Sequence, residues 1–99
     1  MQSLDDVPFE DWAFDWDEAK RRSNLEKHGI DFLRAVVALG GSRLELKSDR
    51  NGEARTLAIC PDTSKLIAVV YTMRGTRCRI ISARAARDNE QRAYRQLYL

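Results

Sequence analysis

The sequence predicts an α+β fold made of two N-terminal helices, a four-stranded antiparallel sheet and a C-terminal helix. Three observations predict it. Phe32, Ala35, Val36 and Leu39 fall at i, i+3, i+4 and i+7, one buried helical stripe. From Arg43 to Ser82 the pattern turns to short β-rich runs separated by turn residues. Beyond them, Ala86, Ala93, Tyr94 and Leu97 sit among charged neighbours in a last helical stretch.

Residues 1–12 read as a loose acidic arm containing Pro8, ahead of a single domain over 13–99. Phe9, Trp12 and Phe14 give its end a means of packing onto the body. A first helix is expected over Trp16–His28, with Asp15 as N-cap and Glu18 three residues later completing a capping box. Lys27 and His28 fall in its last turn, and Gly29 suits the left-handed position that ends it. The helix is unusually polar, so it either lies on the surface or presents a working face. The second helix, Asp31–Leu39, ends at Gly40-Gly41.

Strands are expected over Arg43–Lys47, Arg55–Cys60, Lys65–Thr72 and Thr76–Ser82. Ser48–Gly52, Pro61–Ser64 and Arg74-Gly75 supply the connecting turns of a meander. In the last strand, alternation places Arg77 and Arg79 opposite Cys78 and Ile80. The final helix runs from about Ala85 to Tyr98, and the helices are expected on one side of the sheet.

At 99 residues the chain holds one domain and one small core. No apolar run approaches the roughly 20 residues of a membrane span. The start of the sequence has no apolar stretch of the secretory kind, so cytoplasm is the expected location. Cys60 and Cys78 show no metal or redox spacing and read as small buried hydrophobes.

The net charge of +2 conceals an asymmetry. Residues 1–18 carry seven acids and no base, whereas residues 19–99 have a balance of +9. Segment 74–99 alone holds seven arginines against Asp88 and Glu90. A basic body suggests a polyanion or an acidic partner. The acidic arm is then a candidate cover for the basic groove.

Trp16-Asp-Glu-Ala-Lys20 followed by Asn24-Leu-Glu-Lys-His-Gly-Ile-Asp-Phe32 resembles the N-terminal signature of the BrnT toxin family. Val70-Tyr-Thr-Met-Arg74, Arg79-Ile-Ile-Ser-Ala-Arg84 and Glu90 with Tyr94 resemble its C-terminal signature. The resemblance spans roughly residues 14–98. It implies a RelE-like ribonuclease fold, growth-arresting RNA cleavage, and neutralisation by a BrnA-like antitoxin with a ribbon-helix-helix domain. Operator DNA would then be held through the antitoxin. Cys60 stands where the family often has glycine, and the arm is additional.

Metal-independent RNA cleavage requires deprotonation of the 2′-hydroxyl, protonation of the leaving 5′-oxygen and cationic stabilisation of the phosphorane. The single histidine and the lack of metal-ligand spacing favour a side-chain mechanism without cofactor. His28, the single imidazole of the chain, is a candidate acid or base; the competing reading is a cap for the first helix. Arg79, Arg84 and Arg74 are the candidate transition-state stabilisers, because a guanidinium grips a phosphate bidentately. Salt bridging to Glu18, Asp17 or Glu90 is the competing reading for these arginines, and for Arg84 a structural tie to the helix start competes. Lys20 and Lys27 are candidate phosphate contacts. Tyr71 and Tyr94 are candidates for stacking a base or donating a proton, against packing in the core. A non-catalytic basic module that binds RNA or a partner is the alternative. No helix-turn-helix pattern supports a regulator that reads DNA by itself.

Overall fold

A computed structural model of the chain describes residues 7–98. A single 3₁₀ turn, Phe9–Asp11, leads into β1 (Ala13–Asp15), α1 (Glu18–His28) and α2 (Phe32–Leu39). The strands β2 (Leu44–Lys47), β3 (Thr56–Asp62), β4 (Lys65–Arg74) and β5 (Arg77–Ala85) follow, then α3 (Asp88–Tyr98).

The α+β class and the three helices match expectation, but the sheet has five strands in the order β1-β5-β4-β3-β2. The additional strand is β1, which pairs parallel to β5 with Ala13 opposite Arg77 and Asp15 opposite Arg79. Three residues are too few to show an alternating pattern. Their partner lies more than sixty residues away, so nothing local announces the pairing. The same rearrangement moves the start of α1. Asp17, not Asp15, is the N-cap, its side chain accepting from the N–H groups of Ala19 and Lys20. Glu18 therefore does not close a capping box with Asp15; it accepts from Trp16 Nε1 and Arg21 instead.

The remaining elements form where their residues direct. Asp31 caps α2 by accepting from Leu33 N–H, and Gly29 ends α1 at φ 69°, the left-handed region that favours glycine. The α2 stripe buries Phe32, Ala35 and Leu39 completely against Ala58, Cys60, Ile67, Val69, Cys78 and Ile80 of one sheet face. Burying Phe32 alone contributes about 2–3 kcal/mol. Phe9, Trp12 and Phe14 close the end of this core as a mutually tilted aromatic cluster. The described part of the arm thus packs on the α2 side, with Arg43 stacked over Trp12 at 4.9 Å. Asp5 and Asp6, part of the expected acidic cover, lie outside the described residues.

The helices do not share one side of the sheet. α1 runs along the outer edge of β5, where buried Asn24 takes the place of a neighbouring strand. Its side chain accepts from Ala83 N–H at 3.1 Å and donates to the carbonyls of Ala83 (2.8 Å) and Ile30 (2.9 Å). α3 packs on the other face, against β3 and β2. Arg84, which points away from the core side of Ala83, is tied to Glu90 of α3. Ile59 and Ala68 share that face with Arg84 and are fully buried. The reason is the chain's second set of apolar positions: β3 and β4 are apolar on both faces, so both need covering.

Candidate nucleic-acid interface

α3 covers one end of its sheet face and leaves the other open. β4 and β5 are paired there with Thr72 opposite Arg79 and Arg74 opposite Arg77. A slip in the ladder between Val70 and Tyr71 makes Val70 pair with Ser82, leaving Ile81 as the extra residue of a bulge. The slip bends β5 where α1 approaches. Arg74, Arg77, Arg79 and Ser82 consequently lie together on the open face.

Carboxylates hold these arginines from the flanks. Asp15 of β1 accepts from Arg77 Nη1 at 3.0 Å and from Arg79 Nη1 at 3.4 Å. Arg79 keeps 38% of its side chain exposed despite that pair. On the other flank Glu53 is bound to Arg55 and lies 3.7 Å from Arg74 Nη2. Arg55, and beyond it Arg74 and Lys20, hold the Glu53 carboxyl below its ordinary value. Lys20, although on α1, is thus within electrostatic reach of the same flank. A one-carboxylate-to-two-arginine arrangement leaves positive charge facing outward. The half-exposed guanidiniums retain free N–H groups for a phosphate.

Lys20 continues the face into a shallow depression of about 210 Å³ between α1 and β5, lined by Ser23, Lys27, His28, Ile81 and Ser82. Ser82 belongs to both the arginine face and this depression. Lys20, Lys27 and His28 thus line the depression, which shares Ser82 with the sheet face of Arg74, Arg77 and Arg79. His28 sits in the last turn of α1, where the capping reading of the sequence also places it.

Three of the expected site residues go elsewhere. Arg84 is only 19% exposed, and both its terminal nitrogens are engaged by Glu90. Tyr71 lies on the core side, 2% exposed, its hydroxyl donating to Glu45 at 3.0 Å. Burial and the Glu45 carboxylate push its pKa far upward, so it is neither a base platform nor a ready proton donor in this conformation. Tyr94 is on α3, its hydroxyl 2.6 Å from Ser42 Oγ and its ring against Tyr98. Sequence reasoning missed Arg77 as a member of the face and Asp15 as the residue that aims it. The signal available was the alternation that already put Arg77 and Arg79 on one side.

Among the described residues no group of three or more His, Cys, Asp or Glu side chains is placed to hold a metal ion. No described helix is long and apolar enough to cross a membrane. Comparison with curated proteins finds no match. Residues 16–90 match the family model described as the ribonuclease toxin, BrnT, of type II toxin–antitoxin systems. The matched segment contains α1, the bulged β5 and all the arginines of the open face. It covers most of the sequence, and the chain belongs to the BrnT family of ribonuclease toxins.

Proposed function

We propose that the chain is a metal-independent endoribonuclease that cleaves RNA on the open arginine face. The 2′-oxygen attacks its own phosphorus, the bond to the 5′-oxygen breaks, and the products are a 2′,3′-cyclic phosphate and a 5′-hydroxyl. Arg79 and Arg74 meet the phosphate whose negative charge grows in the transition state, with Arg77 beside them. Lys20 and Lys27 hold neighbouring phosphates of the strand. His28 is the proton carrier at the end of the depression, taking the 2′-hydroxyl proton or supplying one to the 5′-oxygen. Water makes the other transfer, so that the 2′-hydroxyl loses one proton and the 5′-oxygen gains one.

The observation that supports this reading is the set of part-exposed guanidiniums of Arg74, Arg77 and Arg79 on one sheet face, held by Asp15 and Glu53, with the Lys20–Lys27–His28 depression sharing Ser82 with that face. Fixed guanidiniums supply the charge stabilisation that a metal ion supplies in other nucleases. The cell-biological setting that fits is a cytoplasmic toxin restrained by a BrnA-like ribbon-helix-helix antitoxin, with operator DNA contacted through that partner. Incubating the purified chain with RNA in excess EDTA tests the chemistry. Fragments ending in 2′,3′-cyclic phosphate are expected. RNA that stays intact with EDTA and is cut only with added divalent metal rejects the metal-independent route. RNA that is bound but never cut favours a binding module.

A further inference from the structure

We propose that Asp15 is a positioning residue for cleavage: it holds the Arg79 guanidinium in place while opposing RNA binding, so that its loss tightens binding and slows the reaction. The inference deepens the ribonuclease reading of the arginine face and rests on it.

Asp15 reaches that face through the backbone of β1. Ala13, Phe14 and Asp15 lie opposite Arg77, Cys78 and Arg79 in parallel register. Side chains alternate along a strand, and Phe14 packs against the core, so Asp15 points to the other face, as Arg79 does. The carboxylate stands on a fixed base. Its neighbours in sequence, Phe14 and Trp16, both pack against the core, with Trp16 edge-on to Phe32 and ring centroids 6.0 Å apart. Ala13 N–H donates to Thr76 O at 2.8 Å, and Asp17 opens α1 as its N-cap. An aspartate side chain is short, so a fixed backbone leaves its oxygens few positions. Asp15 lies just ahead of the segment matched to the family, which begins at residue 16.

One carboxylate meets two guanidiniums, each through a single nitrogen. Oδ2 accepts from Arg77 Nη1 and Oδ1 from Arg79 Nη1. A guanidinium carries several N–H donors, so one bond sets the direction of Arg79 and the others stay available to a phosphate. Arg84 is the contrast: Glu90 takes both its terminal nitrogens and withdraws it from the face. Among the described residues no other carboxylate pairs with Arg79. A guanidinium already in place stabilises the transition state better than one that must be ordered during the reaction.

The same carboxylate repels a phosphate. It is 28% exposed and adjoins two of the guanidiniums that RNA must reach. Removing it makes the face more positive, which strengthens binding through phosphate contacts. Orientation and repulsion therefore act with opposite signs, one on rate and the other on affinity. A residue needed only for folding would, when lost, lower both. One that only repels RNA would, when lost, lower neither.

Two measurements on the parent, Asp15→Ala, Arg79→Ala and the double variant test the assignment. The first is affinity for a 2′-O-methyl RNA, which cannot be cut. The second is single-turnover cleavage at saturating RNA. Asp15→Ala should bind about twofold to fivefold more tightly at low salt. It should cleave at least about tenfold more slowly. In the Arg79→Ala background the same substitution should change the rate by less than about threefold, because the carboxylate acts through that guanidinium. Asp15→Asn keeps the shape of the side chain and should show the same two signs; it decides the matter if the alanine variant unfolds. An unchanged or faster rate overturns the proposal. So does a joint fall in rate and affinity, or an equal rate loss in both backgrounds. A parent that leaves RNA intact rejects the ribonuclease reading, and this inference with it. A parent whose cleavage depends on Arg79 and not on Asp15 rejects the positioning role alone.

Discussion

Glu90 grips Arg84 with two parallel bonds, Nη1 to Oε1 at 2.8 Å and Nη2 to Oε2 at 2.9 Å. The same carboxylate accepts from Arg87 N–H at 2.8 Å, just ahead of α3. One side chain thus joins the end of β5 to the start of α3 and withholds Arg84 from the open face.

Glu90→Gln should destabilise the fold at pH 7 by about 2 kcal/mol, since charged hydrogen bonds in a nearly buried site are lost. Arg84, and secondarily the Arg87 N–H, hold the Glu90 carboxyl below its ordinary value of 4.5. Its stabilisation is therefore complete above that value and fades as pH falls through the lowered one. Melting curves of parent and variant should differ most at neutral pH and converge in acid. A constant difference down to pH 2 would contradict this role.

Arg84→Ala and Arg79→Ala should part company. The first leaves the buried Glu90 carboxylate with only the Arg87 N–H as partner and should lower stability by about 2–3 kcal/mol. The second removes a half-exposed side chain and should change stability by less than about 1 kcal/mol. Denaturant titration of the two variants decides; equal losses would mean that Arg79 is structural.

Asn24→Leu should be among the most damaging single changes in α1. It orphans the Ala83 N–H and C=O, as well as the Ile30 carbonyl, at a buried edge. A loss of about 3 kcal/mol or more is expected, read by urea unfolding. A variant within 1 kcal/mol of the parent would show that solvent readily replaces the amide.

Both cysteines are fully buried, and desolvation pushes Cys60 up to about 11 and Cys78 up to about 12. In the folded chain neither thiol should react with a thiolate-selective reagent at pH 8, and both should react on addition of denaturant. Rapid labelling of either in the native state would contradict their place in the core.

The fold was legible wherever local pattern and tertiary need agree. The α2 stripe and the Gly29 stop follow from residues within one or two turns of each other, and both form. β1 was illegible because its strand character comes from Arg77–Arg79, far along the chain. The placement of α3 on the second face follows from Ile59 and Ala68 needing cover, a demand that appears only once the strands are in register. At the site, alternation correctly paired Arg77 with Arg79, and Glu90 was one of three acidic partners open to the arginines, of which the structure joins it to Arg84. Tyr71 was ambiguous for a physical reason: it occupies a β position that alternation assigns to a face without saying which face is covered.

The central claim is that the open face of Arg74, Arg79 and Lys20 performs the cleavage. Single-turnover cleavage of RNA by the parent and by Arg79→Ala, at matched fold and ionic strength, tests it most directly. A fall of about 10²–10³-fold in the cleavage rate, with the fold intact, is the predicted result. An Arg79→Ala chain that cuts RNA at the parent's rate would place the chemistry elsewhere.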